Sequence, residues 1–228
     1  MIKIKEKIKA IIFDMDGTII ETEHIWDQAV KNTLGSQSIS LDKDEEKKLY
    51  SEIAGIGLIE CWEKLKKEFN LEKSVLELSN ATKQSAIQNF NKDIKFIGGF
   101  EYFHKQLKDH NISSCIATNC DSESLSHIAK KINLFKFFGN DIYNIAHVNN
   151  KSKPDPALFL HAAKKLNASP DECIVFEDSL HGFQAAKSAG MKCIGIQGKK
   201  NSIFLHHANH VIEHYDNAPE ALKKIIFK

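Results

Sequence analysis

The stretch from Lys9 to Thr18 reads KAIIFDMDGT and joins a strongly apolar run to a pair of acidic side chains. A short apolar run bounded by polar residues is typical of a buried strand, and we predict a strand over Lys9–Asp14. Asp14 and Asp16 stand two residues apart, and Gly17 allows the chain to turn sharply after them. Taken alone, this pattern fits either a strand-end turn with solvated aspartates or a ligand site beyond the carboxyl end of a strand.

Similar apolar runs recur downstream, with helical patterns between them. Strands are predicted at Ile112–Thr118, Cys173–Glu177 and Lys192–Ile196, with weaker candidates at Asp141–His147 and His210–Ile212. Helices are predicted at Phe100–Lys108, Ser122–Ile132, Ala157–Leu166 and Ser179–Ala189. This alternation is typical of a parallel sheet covered by helices on both faces, so the predicted fold class is α/β.

The segment from about Glu21 to Asn91 breaks the alternation, because it contains helical patterns and no convincing strand. We predict that residues 21–92 form a helical insert, and that residues 1–20 and 93–228 form the sheet domain. Trp26 lies on the first helical pattern of the insert. Its ring fits either the interior of the insert or a position facing the site, where it would stack on a sugar or polyol.

Further polar motifs stand at or near the ends of the other predicted strands. Thr118 and Asn119 close the second strand, and a hydroxyl with free backbone N–H groups can bind an anion there. Lys153 stands beside rigid prolines in KPDP, which suits an ammonium group aimed at a phosphate oxygen. Glu177 and Asp178 stand at the end of the third strand, and Mg²⁺ prefers such oxygen ligands. Singly, a helix cap or an exposed turn explains most of these motifs, but together they supply the parts of a phosphoryl-transfer site.

Composition excludes several other classes of function. The chain of 228 residues has a formal net charge of +1, so its overall charge would not attract it to nucleic acid or to an anionic membrane. No apolar run is long enough for a membrane-spanning helix, and the five cysteines contain no C-x-x-C pair. We therefore expect a cytoplasmic protein with reduced, mostly buried thiols and without nucleic-acid or membrane partners.

As an ordered set, these motifs resemble the haloacid dehalogenase-like hydrolase superfamily. The matching stretches are FDMDGTIIETE, GGFEYFHKQLKDHNISSCIATN, KSKPDPALFLHAAKKLN and CIVFEDSLHGFQAAKSAGM. The chain is similar to the subgroup with a small helical cap after the first motif, which includes phosphoglucomutase-like and sugar-phosphatase members. The resemblance implies a Rossmann-like parallel sheet core, a small all-helical cap and a Mg²⁺-dependent enzyme that acts on a small phosphorylated substrate.

The resemblance also implies a role for each matching residue. Asp14 would attack phosphorus and become the aspartyl phosphate, while Asp16 would protonate the leaving oxygen and then activate water. Thr118, the Asn119 amide and Lys153 would hold the phosphoryl group. Mg²⁺ would be held by Asp14, the backbone carbonyl of Asp16, Asp178 and, directly or through water, Glu177.

A phosphatase is the favoured function, and a β-phosphoglucomutase-type hexose phosphate mutase is the alternative. The mutase-like members lead us to expect an arginine near Leu58 for a second phosphate, and this chain has none there. A non-catalytic binding protein is less consistent with paired acids at two strand ends. The histidines at 206, 207, 210 and 214 fit a polar surface loop better than a zinc site.

Overall fold

The computed structural model describes residues 8–90, 94–198 and 201–226. Its centre is a parallel sheet of six strands in the order β3-β2-β1-β4-β5-β6. The strands are β1 (Ala10–Phe13), β2 (Ser113–Thr118), β3 (Ile142–Asn144), β4 (Cys173–Glu177), β5 (Lys192–Ile196) and β6 (His210–Ile212). The α/β class with a parallel, Rossmann-like sheet is therefore confirmed.

Both faces of the sheet are covered, which explains why the central strand β1 is apolar at every position. All four residues of β1 are buried. Ile11 and Phe13 belong to a cluster with Phe100 and Leu222, whereas Ile12 belongs to a second cluster with Phe159. Successive side chains of a strand point to opposite faces, so each face of β1 contributes to its own core.

The helices are labelled in chain order, and all but the last lie in the connections between strands. Four follow β1: α1 (Glu23–Gly35), α2 (Lys43–Ile53), α3 (Leu58–Glu68) and α4 (Val75–Phe90). The others are α5 (Phe100–Asp109), α6 (Ser122–Lys131), α7 (Phe135–Phe138), α8 (Ala157–Lys165), α9 (Leu180–Ser188) and α10 (Ala218–Ile226). None of the helices in the described residues is long and apolar enough to cross a bilayer.

The four helices α1–α4 lie within the predicted insert and build a hydrophobic cluster of their own. Its members include Val30, Leu49, Trp62 and Leu78. The two chain connections to the sheet domain run side by side, because the Glu21 amide donates to the Lys95 carbonyl and the Ile97 amide to the Ile19 carbonyl. The predicted boundary between residues 92 and 93 lies outside the described residues.

The weaker strand prediction at Asp141–His147 is too long. β3 ends at Asn144, and a 3-10 turn over Ile145–Val148 follows it. The Asn144 side chain and His147 form a reciprocal cap at the start of this turn, and such a cap favours the turn over a continuing ladder. The prediction for the cysteines is confirmed, since all five are free and buried.

One histidine is enclosed among aromatic side chains on α5. His104 is 1% exposed, packs against Phe100 and Phe138, and lies 3.1 Å from the Ser114 hydroxyl through its Nε2 atom. Burial, reinforced by the positive charge of Lys108, lowers the pKa of His104 to about 4. In the unfolded chain, His104 has an ordinary histidine pKa near 6.5. Between about pH 4 and pH 6.5, His104 is therefore protonated in the unfolded chain and neutral in the folded chain.

We expect the free energy of unfolding to fall as the pH is lowered from about 6.5 to about 4. Here the unfolded state binds more protons than the folded state, and His104 alone would account for a loss of up to about 3 kcal/mol. Denaturant melts of the wild type and of His104→Phe across this range measure the difference, since other titrating groups are common to both. Parallel pH profiles in the two proteins would contradict the assignment.

Candidate active site

The two acidic residues after β1 stand at the carboxyl edge of the sheet, beside the end of β4. The Asp14 amide continues the ladder by donating to the Phe176 carbonyl at 3.0 Å. Gly17 then turns the chain with a φ of +75°, and a Cβ at this position would lie 2.2 Å from Asp178 Oδ2. Only glycine satisfies both the backbone angle and the space, so the D-x-D-G pattern brings the carboxylates of Asp14 and Asp178 close together.

Lys153 supplies the positive charge beneath these acids. Its side chain is 1% exposed, and its Nζ lies 2.6 Å from Asp14 Oδ1 and 2.7 Å from Glu177 Oε1. The ammonium group also lies 4.7 Å from the centre of the Phe159 ring. A buried charge requires partners of this kind, and the flanking carboxylates hold the pKa of Lys153 above its usual range despite burial.

Glu177 has a second set of partners on its other oxygen. Oε2 accepts from the backbone amides of Asp178 and Ser179, both at 2.8 Å, and from the Ser179 hydroxyl at 3.0 Å. Gly182 makes room for this carboxylate, because a Cβ there would lie 1.8 Å from Glu177 Cδ. The carboxylate therefore organises the start of α9 and orients Lys153 at the same time.

Carboxylates outnumber ammonium groups in this cluster. Oxygens of Asp14, Glu177 and Asp178 lie within 4.8 Å of one another, and all three residues are buried. Burial raises the pKa of both Asp14 and Asp178, although Lys153 opposes the shift at Asp14. Buried carboxylates held this close favour a shared proton or a bound cation. An all-oxygen donor set of this kind fits Mg²⁺.

Asp16 points toward the helical insert rather than into the cluster. Its Oδ1 accepts from the Thr22 hydroxyl and, at 3.0 Å, from the Trp26 indole nitrogen. Burial raises the pKa of Asp16, and these two hydrogen bonds oppose the rise. Trp26 also packs edge-on against Phe90, so its ring contacts the last helix of the insert while its nitrogen reaches Asp16. Stacking of a sugar or polyol on this ring stays a prediction.

Thr118 and Asn119 lie at the end of β2, beside Asp14. The Thr118 hydroxyl accepts from the Cys120 amide at 3.1 Å. The Asn119 side chain joins two parts of the molecule: Nδ2 donates to the Gly55 carbonyl of the insert at 2.9 Å, and Oδ1 accepts from the Lys153 amide at 3.0 Å. Asn119 thus connects the loop between α2 and α3 to the backbone of the buried lysine.

A cavity of about 140 Å³ lies between the sheet edge and the insert. Its floor contains Asp14, Asp16, Thr118, Asn119 and Asp178. Its roof is formed by residues of α1, α2, α3 and the loop before α3: Glu23, Trp26, Asp27, Val30, Tyr50, Ile53, Ala54, Gly55, Ile56, Leu58 and Cys61. The seven site residues predicted from the sequence therefore meet at one place, five on the floor of this cavity and two, Lys153 and Glu177, directly beneath Asp14.

Other residues that shape the site carry no recognisable sequence signal. Thr22 holds Asp16, Ser179 holds Glu177, and the buried Asn201 side chain donates to the Asp178 carbonyl at 2.7 Å. In the C-terminal histidine group, the His206 and His207 rings lie 4.1 Å apart in a tilted arrangement, and His214 pairs with Asp216. Within the described parts of the chain, the acidic cluster is the one grouping with metal-ligand geometry.

Comparison with known proteins gives the family. The family model described as haloacid dehalogenase-like hydrolase matches residues 11–196. A hydrolase from Pseudomonas syringae of known structure superimposes with a TM-score of 0.81 and 25% identity, over 95% of this chain and 99% of that one. The chain therefore belongs to the haloacid dehalogenase-like hydrolase family, as its motifs predict.

Curated relatives include phosphatases and a mutase. The putative phosphatase YhcW of Bacillus subtilis is 31% identical over 219 residues, covering 96% of this chain and 94% of the relative. The 6-phosphogluconate phosphatase of Escherichia coli is 25% identical over 218 residues, covering 95% and 96%. The β-phosphoglucomutase of Bacillus subtilis is 30% identical over 201 residues, covering 83% of each chain.

We expect Gly182→Ala to destabilise the protein by roughly 1–3 kcal/mol, because the added methyl group overlaps the Glu177 carboxylate and must displace it or α9. Gly35→Ala is the matched control: it lies at the end of α1 with no atom within 4 Å of the new methyl group. Its stability should be unchanged or slightly higher. Denaturant melts of both variants measure the contrast, and equal stabilities would refute the packing role of Gly182.

Proposed function

We propose that this protein is a Mg²⁺-dependent phosphomonoesterase that hydrolyses a small phosphorylated metabolite through a phosphorylated Asp14. The observation that carries the proposal is the buried cluster of Lys153, Asp14, Glu177 and Asp178, which lies on and directly beneath the floor of the cavity, with Asp16 beside it. Its family and the phosphatases among its relatives support the same reaction class.

In the first step, an Asp14 carboxylate oxygen attacks phosphorus and the bond from phosphorus to the alcohol oxygen breaks. The leaving oxygen takes a proton from Asp16, whose raised pKa favours the protonated form needed by an acid. Both donors to Asp16 use Oδ1, which leaves Oδ2 for proton transfer. In the second step, Asp16 takes a proton from water, the water oxygen attacks phosphorus, and Asp14 and inorganic phosphate are released.

Lys153 has two tasks in this scheme. Its ammonium group keeps Asp14 in place and compensates its charge, and it lowers the repulsion between that carboxylate and an incoming phosphate. Glu177 fixes the ammonium group from the other side. Thr118 and the Asn119 amide hold the phosphoryl oxygens at the end of β2.

Asp14, Asp178 and the Asp16 carbonyl would hold Mg²⁺, with Glu177 bound directly or through water. When bound, the ion neutralises the charge that builds up on the phosphoryl oxygens. The three buried carboxylates with one lysine between them support this assignment, because the cluster carries an excess of negative charge in a site built to receive phosphate.

The size of the cavity favours a small substrate. A space of about 140 Å³ beneath a roof of helices fits a small molecule rather than a folded phosphoprotein, and the Trp26 and Tyr50 rings suit the apolar faces of a sugar or polyol. The relative from Escherichia coli is named for a sugar-acid phosphate. We therefore propose a sugar or polyol phosphate as the substrate.

A mutase reaction on the same scaffold is the alternative, and the β-phosphoglucomutase relative is the observation in its favour. A mutase must hold the second phosphate of a bisphosphate intermediate, and arginine is suited to this by its planar fork of donors. All 31 Lys and Arg positions of this chain are lysine, and Leu58 lines the roof where a second phosphate would lie. We therefore favour hydrolysis.

Asp14→Asn should lower turnover by at least about a thousandfold, because the amide retains the size of the side chain but loses the attacking charge. Release of phosphate from a panel of sugar phosphates measures the effect. Asp109→Asn, an exposed change of the same kind at the end of α5, should leave turnover unchanged. Comparable activity in wild type and Asp14→Asn would reject the aspartyl-phosphate mechanism.

Removal of Mg²⁺ by a chelator should abolish activity, and added Mg²⁺ should restore it. Mg²⁺ should also raise the melting temperature of the wild type, because a ligand that binds only the folded state stabilises it. Asp178→Asn should weaken that rise, whereas the exposed control Asp171→Asn should not. Full activity in excess chelator, with no metal retained by the protein, would contradict the assignment.

With a monophosphate substrate, free phosphate should appear in step with the dephosphorylated product. A coupled assay for glucose 6-phosphate and a phosphate assay, run together on glucose 1-phosphate, separate the two reactions. The absence of arginine leads us to expect phosphate release to dominate. Faster formation of glucose 6-phosphate than of free phosphate would establish the mutase alternative.

A further inference from the structure

Asp178, one of the proposed metal ligands, is held from two sides by residues outside the predicted catalytic set. Its backbone carbonyl accepts a hydrogen bond from the Asn201 side-chain nitrogen Nδ2 at 2.7 Å. Its carboxylate oxygen Oδ1 accepts from the Thr18 hydroxyl at 3.2 Å. Both partners are buried in the protein interior. The main chain and the side chain of Asp178 are therefore fixed by different residues.

Asn201 joins the ends of two neighbouring strands. The pairing of β4 with β5 extends to Glu177 and Gly195, and Asp178 and Ile196 stand next along each chain. Nδ2 of Asn201 donates to the carbonyls of both, at 2.7 Å and 2.8 Å. Buried carbonyls need such donors, because an unpaired polar group in the interior is costly. Asn201 therefore continues the connection between β4 and β5 at the edge where the site lies.

The orientation of the Asn201 side chain is itself fixed. The Gly198 amide donates to Asn201 Oδ1 at 2.9 Å, while Nδ2 serves the two carbonyls. An amide group has donors on one side and an acceptor on the other, so only one orientation satisfies all of these bonds. A side chain that cannot rotate without losing bonds holds the Asp178 backbone firmly.

The carboxylate of Asp178 is confined in a similar way. Thr18, which donates to it, is anchored through its own carbonyl, which accepts from the buried Tyr215 hydroxyl at 3.0 Å. On the other oxygen, the backbone of Gly17 lies so close that a Cβ there would be 2.2 Å from Asp178 Oδ2. The carboxylate therefore has little room to shift.

We propose that Asn201 and Thr18 are positioning residues that hold Asp178 for Mg²⁺ and raise the selectivity of the site for Mg²⁺ over Ca²⁺. Mg²⁺ demands near-ideal octahedral geometry at short oxygen distances, whereas the larger Ca²⁺ accepts irregular ligand sets. A carboxylate fixed at its main chain and its side chain cannot move outward to suit the larger ion. This inference rests on the proposed function, since it concerns how the same site holds its metal.

Asn201→Ala tests the inference through metal affinity rather than turnover. The dissociation constants for Mg²⁺ and Ca²⁺ are measured separately, from the rise in melting temperature with ion concentration. Loss of a residue that orients a metal ligand weakens binding, so Kd for Mg²⁺ should rise at least about tenfold. Kd for Ca²⁺ should rise less, because Ca²⁺ tolerates a displaced carboxylate.

Asn209→Ala is the matched control. Asn209 Oδ1 accepts from the Cys193 amide at 2.7 Å, so this variant also loses a side-chain hydrogen bond to β5, but near the amino end of the strand, away from the site. We expect unchanged dissociation constants. An unchanged Mg²⁺ constant in folded Asn201→Ala, an equal rise for the two ions, or the same change in Asn209→Ala would overturn the inference. The proposed function would stand, because phosphate release by the wild type tests it separately.

Thr18→Val provides a second variant if Asn201→Ala does not fold, since it removes the donor to Asp178 and keeps the shape of the side chain. It should weaken Mg²⁺ binding more than Ca²⁺ binding. Thr18→Ser keeps the hydroxyl and should retain the constants of the wild type. Equal constants in the two variants, or a wild type that binds neither ion, would overturn the inference.

Discussion

A single ammonium group lies between the carboxylates of Asp14 and Glu177, enclosed in the protein interior at the carboxyl edge of the sheet. Burial of one charge in this way is costly unless partners surround it, and removal of either carboxylate would leave the lysine under-compensated. Lys153 comes from the connection before α8, Asp14 from the end of β1 and Glu177 from the end of β4. The ion pairs therefore fix three distant parts of the chain relative to one another.

The helical insert is tied to this centre through polar contacts. Asn119 spans from the Gly55 carbonyl to the Lys153 amide, and Trp26 reaches from α1 to Asp16. Gly55 also lies against Ser179, where a Cβ would approach within 2.3 Å of the serine side chain. The position of the insert and the placement of Asp16 are thus connected, because the same contacts that seat the insert also orient Asp16 and the Lys153 backbone.

The sequence predicted the sheet and the location of the site because both depend on local patterns. Apolar runs predict the strands β1, β2, β4 and β5, and parallel strands necessarily bring their carboxyl ends to one edge. The position of Asp14 beside Asp178 follows from this rule. The chemical roles of the seven residues and the limits of the two domains stay predictions.

The rest depends on contacts between residues far apart in the chain. The space that Gly182 leaves for Glu177 and the hydrogen bond from Asn201 to the Asp178 carbonyl are visible only once the elements are packed. The contacts of Trp26 could not be predicted either. A helical pattern does not reveal that the Trp26 ring packs on Phe90 while its indole nitrogen donates to Asp16. The short β3 was overestimated because the cap between Asn144 and His147 competes with the strand.

Chemical trapping shows whether Asp14 carries the phosphoryl group during turnover. The protein would be mixed with a sugar phosphate that it hydrolyses and quenched in acid within milliseconds. The quenched protein would then be reduced with borohydride and digested for mass spectrometry. An acyl phosphate at Asp14 is reduced to homoserine, so the account predicts this conversion in the peptide that contains Asp14, and not at Asp16. Active enzyme whose Asp14 stays unmodified under these conditions, or whose phosphate is found on another side chain, would contradict it.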